Sequence, residues 1–339
     1  MSLPKILAIL TTILFCIIGI AALFKTQIGN HQTSVPISQE PLEVELDDEI
    51  QTIAPVHAYY PTTIAPSEVV VNQGKKEDVR YVPFDLPEGD RIEELFNIQE
   101  PQLDIVETII YKSHVPWQKG RPAWLSDYAS YYNTSKHFIA RSLNKKPDYW
   151  KQEVKEGDRF NVFRKDRNIQ FHLIVDSSRC KMWLYCLDLD KKQKILLKTY
   201  PVSLGRVDSS KTSGLLTPLG TYTLGSKIAI YKPKVMGTHL GQKKELITVF
   251  GTRWIPFEKE VGLCTQPAKG FGIHGTPWVQ GSEGVLVDNS NSIGKYESDG
   301  CIRLKTNDIE EIFSIIITKS AMIEIVRDFS EATFSHIGF

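Results

Sequence analysis

From residue 169 onward the apolar residues of this 339-residue chain recur with a period of two. A chain that alternates in this way over its second half can bury one side only as a sheet. Phe171-His172-Leu173-Ile174-Val175 and Lys181-Met182-Trp183-Leu184-Tyr185 flank Asp176-Ser177-Ser178-Arg179, which predicts a strand, a turn and a strand. Residues 194–203 continue as a strand ended by Gly205, Gly220-Thr221-Tyr222-Thr223-Leu224 is the next, and Met322-Ile323-Glu324-Ile325-Val326 closes the series. The pattern allows one clear helix among them, from about Asp308 to Ile317, with Asn307 and Glu310 as its cap pair.

The first half follows other rules. Residues 6–24 form a 19-residue stretch without charge between Lys5 and Lys25. As a helix it covers about 28 Å at ~1.5 Å per residue, so residues 1–25 are expected to be a membrane anchor or signal segment, and the fold is expected to include a transmembrane helix. Residues 26–88 read as an extended linker, because seven of the 18 prolines lie between Pro36 and Pro87 and six acidic residues fall between Glu40 and Glu49. Residues 89–167 then show helical spacing broken by turns, including a helix, turn and helix over 124–144 and a short strand at Arg159-Phe160-Asn161-Val162-Phe163. They form a small α/β or helical domain. Residues 330–339 are a C-terminal tail.

Charge narrows the function. Lys plus Arg and Asp plus Glu are both 40, which argues against nucleic acid as a partner. The five cysteines, at 16, 180, 186, 264 and 301, lack the spacing of a disulfide framework, and no CxxC or HxxxH occurs, so no metal and no cofactor is expected. What remains is a thiol and an imidazole: His274 in Phe271-Gly272-Ile273-His274-Gly275-Thr276, and Cys301, 27 positions later, in Ser298-Asp299-Gly300-Cys301-Ile302-Arg303-Leu304. A thiol attacks as thiolate, and a neighbouring imidazole is the usual means of taking its proton. Glycine before the cysteine lets backbone N–H groups approach a developing oxyanion. His172 and His239 read as a sheet and a loop residue, Trp254 and Trp278 as ordinary half-buried aromatics, and Cys264 as a buried small residue.

Thr217-Pro218-Leu219-Gly220-Thr221-Tyr222, Ile273-His274-Gly275 and the segment 298–304, in that order, resemble the L,D-transpeptidase catalytic domain of the YkuD type over residues 168–329. The order of His before Cys sets the chain apart from papain-like and NlpC-like cysteine hydrolases. Two departures stand out: Asp299 occupies a place where many members carry His, and the segment between His274 and Cys301 holds an apparent insertion around residues 278–289. The stretch from Trp124 through Tyr132-Asn133-Thr134 to Lys155-Glu156-Gly157-Asp158 also resembles the LysM peptidoglycan-binding module, without its usual opening strand.

The first resemblance implies a YkuD-type β-sandwich with one flanking helix. It also implies a cysteine-dependent acyltransferase that cleaves a tetrapeptide stem of peptidoglycan after its third residue, releases D-alanine through a Cys301 thioester and forms a crosslink. In that reading Cys301 and His274 are catalytic, Gly300 and Ser298 support the nucleophile loop and oxyanion, and Arg303, Gly275 and Thr276 bind substrate. The partners are peptidoglycan stem peptides and, through the N-terminal helix, the membrane. The expected location is the cell envelope, anchored with the catalytic domain on the periplasmic side. The same site with water as acceptor gives an L,D-carboxypeptidase or crosslink hydrolase, and a non-catalytic wall-binding scaffold is the third reading.

Overall fold

The computed structural model describes residues 86–333. The first elements make a small unit: a one-turn helix α1 (Glu93–Phe96), strand β1 (Val106–Ile110), helices α2 (Leu125–Tyr131) and α3 (Lys136–Asn144), and strand β2 (Arg159–Phe163). Strands β1 and β2 pair antiparallel, Val106 opposite Phe163 and Ile110 opposite Arg159. The turn between the helices closes because Asn133 takes a left-handed φ of 46°, a region Asn tolerates better than most side chains. Ser135 then caps α3 by accepting the His137 N–H at 3.1 Å. Strand β1 is not evident from the sequence, because its run of five residues is too short for alternation to stand out.

The remaining elements are β3 (Ile169–Asp176), β4 (Lys181–Asp188), β5 (Gln193–Pro201), β6 (Leu204–Gly205), β7 (Gly220–Leu224), β8 (Ala229–Ile230), a hairpin of β9 (Met236–His239) and β10 (Gln242–Glu245), helix α4 (Ile247–Phe250), β11 (Arg253–Val261), β12 (Gly272–Gly275), a hairpin of β13 (Trp278–Gln280) and β14 (Leu286–Asp288), β15 (Tyr296–Ser298), β16 (Ile302–Leu304), helix α5 (Thr306–Ile316) and β17 (Ala321–Val326). Nine strands form one sheet in the order β16-β12-β11-β7-β17-β3-β4-β5, with β8 added on β11. Within it β12 with β16 and β17 with β3 are parallel pairs.

One face of this sheet wraps helix α5. Phe171, Leu173 and Val175 of β3, Tyr222 of β7, Ile255 of β11, Ile273 of β12, Ile302 and Leu304 of β16 and Ile323 and Ile325 of β17 pack with Ile309, Ile312, Phe313, Ile315 and Ile316 in one buried core. The residues between them face outward: Ile174, Trp183, Tyr185 and Leu187 bury a second cluster with Phe329. This corrects the expected β-sandwich. The domain is a mainly-β half-barrel, since a single curled sheet has its concave side filled by a helix and needs no second sheet.

Two further corrections follow. Helix α5 starts at Thr306 with Lys305 as its cap residue, so Asn307 and Glu310 are not a cap pair; the Asp288 carboxylate receives the Thr306 N–H at 3.3 Å instead. Among the described residues no helix is long and apolar enough to cross a membrane. The stretch 6–24 and the linker to residue 85 lie outside those residues, so the transmembrane helix, the membrane as partner and the membrane-anchored location are withdrawn.

The small unit shares its core with the half-barrel. Phe96 meets Phe138 at 4.9 Å between ring centroids, Phe138 meets Phe163 at 4.5 Å, and Phe163 meets Phe171 of β3 at 5.8 Å. Beside this row Arg253 of β11, 2% exposed, reaches Asp148 of the small unit at 2.6 Å and Glu310 of α5 at 3.5 Å. Removing one partner of a buried charge cluster leaves the others uncompensated. Arg253→Met is therefore expected to lower the free energy of unfolding by about 3 kcal/mol in a urea titration. A change below about 1 kcal/mol would mean that water already satisfies the two carboxylates.

Candidate active site

Strand pairing brings the thiol and the imidazole together. In the parallel register Ile273 lies opposite Ile302, His274 opposite Arg303 and Gly275 opposite Leu304. Ile273, Ile302 and Leu304 point into the core, each 0% exposed. Alternation then turns His274, Arg303 and, one residue before Ile302, Cys301 to the other face. Both reactive side chains border one aromatic cluster. The His274 ring lies edge-on to Phe250 at 5.5 Å and near Trp254 at 5.9 Å, and Cys301 packs against the cluster of Tyr231, Leu246, Ile247, Phe250 and Trp254.

His274 is held by its own strand. Its Nδ1 lies 2.7 Å from the Gly275 carbonyl oxygen. A carbonyl only accepts, so Nδ1 carries the proton and Nε2 is the basic nitrogen. Burial pushes the imidazole pKa down to about 3, helped by the positive charge of Arg303, while the Gly275 and Phe250 carbonyls act the other way. Burial likewise pushes the Cys301 thiol up to about 11, with a smaller push from Asp299, against the Gly272 N–H and the Arg303 charge. Both groups are neutral near pH 7. The sulfur also lies 3.7 Å from the Gly270 carbonyl oxygen.

The loop before the cysteine is tightly fixed. Gly300 has φ 125°, and a Cβ there would meet Phe271 Cε1 at 2.6 Å, so only glycine fits. Ser298, 0% exposed, accepts the Gly300 N–H at 3.1 Å and donates to the Cys301 carbonyl at 2.6 Å. The Gly300 N–H is thus engaged, whereas the Cys301 N–H finds no acceptor among the described residues. Asp299 faces solvent and pairs with Arg206 at 2.6 Å. Arg303 is half-buried, makes no ion pair with Asp308, and its Nε has no acceptor among the described residues.

Gly275 and Thr276 are buried, and Thr276 donates its hydroxyl to Asp288. The insertion containing Asp288 forms the β13–β14 hairpin, Trp278 opposite Asp288. Trp278 Nε1 donates to Thr306 Oγ1 at 3.4 Å, so this hairpin ties the end of β12 to the start of α5. His239, on β9 rather than in a loop, is edge-on to Phe250 at 5.3 Å. Phe250, Arg206 and Asp288 are not singled out by the sequence, and Trp254, expected to be an ordinary half-buried aromatic, lies beside His274. The β11–β12 register places Trp254 beside His274, and the helix before β11 brings Phe250 there. Among the described residues no group of three His, Cys, Asp or Glu side chains is placed to hold a metal ion.

Residues 170–325 match the family model of YkuD, the L,D-transpeptidase catalytic domain. The chain carries a YkuD-type L,D-transpeptidase catalytic domain. A segment of 121 residues, 36% of the chain, is 28% identical to the putative L,D-transpeptidase YkuD of Bacillus licheniformis and covers 48% of it, so the chain matches about half the length of that relative. Among solved structures, Bd1075 of Bdellovibrio bacteriovorus overlays with a TM-score of 0.32 at 15% identity, over 47% of this chain and 48% of that one. The helical cell shape determining protein Pgp2 of Campylobacter jejuni overlays with a TM-score of 0.31 at 16% identity, over 48% and 49%. The YkuD match begins at Gln170, and the LysM-like reading of the preceding unit gains no support from these relatives.

The raised thiol pKa sets a reactivity profile. Below its pKa a thiol gains thiolate tenfold per pH unit, so alkylation of Cys301 by iodoacetamide, followed by peptide mass mapping, is expected to rise without a plateau from pH 7 to pH 10. A plateau between about pH 6 and 8 would reveal a preformed thiolate–imidazolium pair instead.

Proposed function

We propose that the YkuD-type domain is a cysteine acyltransferase that uses peptidoglycan tetrapeptide stems as donors and an amine of a second stem as acceptor. The observation that supports this reading is the parallel pairing of β12 with β16, which turns Cys301 and His274 to one face beside a shared aromatic cluster. Cys301 Sγ attacks the carbonyl after the third stem residue while His274 Nε2 takes the thiol proton. The Cys301 N–H, the donor without a protein acceptor, receives the oxyanion. Ser298 holds the loop by its two hydrogen bonds and so keeps that N–H in place. The imidazolium returns its proton to the leaving D-alanine amine, and the thioester passes to the acceptor amine. Such a substrate places the domain at the cell envelope, on the periplasmic side.

Neutral partners make the first proton transfer uphill in the free protein, and Arg303 acts on both of them. Its charge is among the causes that depress the His274 pKa, and its Nε lacks an acceptor among the described residues. A stem carboxylate seated on that guanidinium eases protonation of the imidazole but opposes ionisation of the thiol, so Arg303 orients the donor rather than driving the transfer. Gly275 and Thr276, both buried, act through His274 and Asp288 rather than on substrate.

The test is incubation of the protein with disaccharide tetrapeptides and mass analysis of the products. Crosslinked dimers with released D-alanine are expected. Tripeptides alone would identify a carboxypeptidase or hydrolase, and no turnover with retained binding to peptidoglycan would identify a scaffold. Cys301→Ala is expected to lower the rate by about 10⁴-fold or more, as loss of a nucleophile does in hydrolases with a comparable relay.

A further inference from the structure

We infer that Thr217 is a positioning residue for acyl transfer, its hydroxyl setting the plane of the peptide bond that presents the Cys301 N–H. This rests on the acyl-transfer reading above. Thr217 is 1% exposed, and its Oγ1 makes two hydrogen bonds: the Gly205 N–H at 2.7 Å and the Gly300 carbonyl oxygen at 2.9 Å. An N–H only donates and a carbonyl only accepts, so the direction of both bonds is fixed. The hydroxyl accepts from Gly205 and gives its one proton to Gly300.

The Gly300 carbonyl and the Cys301 N–H belong to one planar trans peptide and point in opposite directions. Holding the carbonyl toward Thr217 therefore turns the N–H away from it, and that N–H is the one without an acceptor among the described residues. The surroundings leave no slack. A Cβ at Gly205 would lie 2.5 Å from the Thr217 nitrogen, and a Cβ at Gly300 would lie 3.0 Å from the Leu216 carbonyl oxygen. The Leu216 N–H is tied to the Arg206 carbonyl at 2.9 Å, which fixes the strand end next to Thr217. Ser298 clamps the flanking Gly300 N–H and Cys301 C=O. Without Thr217 the Gly300–Cys301 plane keeps only the bonds on either side of it and can tilt.

A tilted plane harms only steps that build an oxyanion, and this separates positioning from general support. Thr217→Val removes the hydroxyl at nearly constant volume, and Thr217→Ser keeps it. Three rates are read on the whole protein: alkylation of Cys301 by iodoacetamide, acylation of Cys301 by an activated ester followed by mass, and turnover of disaccharide tetrapeptides. In Thr217→Val, acylation and kcat are expected to fall about 10²-fold, as on loss of an oxyanion donor, while KM and the alkylation rate stay within about twofold of the parent. Thr217→Ser is expected to restore acylation to within about threefold of the parent.

The inference is overturned if Thr217→Val acylates as fast as the parent. It is equally overturned if alkylation and acylation are lost together, or if Thr217→Ser fails to restore the rate. A parent protein that takes up the ester but ignores muropeptides refutes the peptidoglycan reading alone and leaves the Thr217 comparison decisive. A parent that is alkylated but never acylated refutes both.

Discussion

Strands β12 and β16 run parallel, and a parallel pair cannot be joined by a tight turn. After His274 the chain must leave the sheet, travel back and re-enter in the same direction before it can place Cys301. The detour explains why the two reactive residues lie 27 positions apart and why the segment between them is long. It also does structural work. Asp288, carried by the β13–β14 hairpin, receives the Thr276 hydroxyl just past β12 and the Thr306 N–H just past β16. One carboxylate therefore clamps the downstream ends of both strands, and its place at the start of α5 is where a negative charge is favoured.

The core that makes this pairing rigid also sets its electrostatics. Ile273, Ile302 and Leu304 seal one face of the paired strands, while Phe250 and Trp254 cover His274 on the other. His274 loses its water and Cys301 part of it, and burial disfavours the charged form of each: the imidazole resists protonation and the thiol resists its loss. Such a site reacts slowly with electrophiles from solvent near neutral pH. Arg303 is the hinge of that balance, since its register partner is His274 and its charge acts on imidazole and thiol alike.

Local pattern carried much of the fold into view. Strands β3, β4, β5, β7 and β17, helices α2 and α3 and the existence of α5 follow from period, turn residues and caps, because each is decided by neighbours within about ten positions. The curl of one sheet around α5 was not legible. An apolar run buried on both faces, such as Ile169–Asp176, reads the same in a sandwich as in a half-barrel. At the site, Cys301 and His274 stood out by residue type and by glycine neighbours. Trp254 and Phe250 did not, since the first depends on the β11–β12 register and the second on where the helix before β11 packs, and Thr217 sits in a visible motif whose role depends on contact with Gly300, 83 positions away.

Strand β11 links the site to the small unit by the same alternation. Arg253 points to Asp148 and Glu310, and Trp254, its neighbour, lies opposite His274 on β12. The strand that walls the imidazole is therefore pinned from behind by a charge cluster that includes the unit before the half-barrel. The phenylalanine row from Phe96 to Phe171 joins the two cores along the same boundary. A unit tethered only by a flexible linker would leave β11 free to shift relative to β12 without cost to its own packing. Here such a shift would separate buried charges and open a gap between aromatic rings, so the small unit acts as part of the scaffold that holds β11 against β12 and Trp254 beside His274.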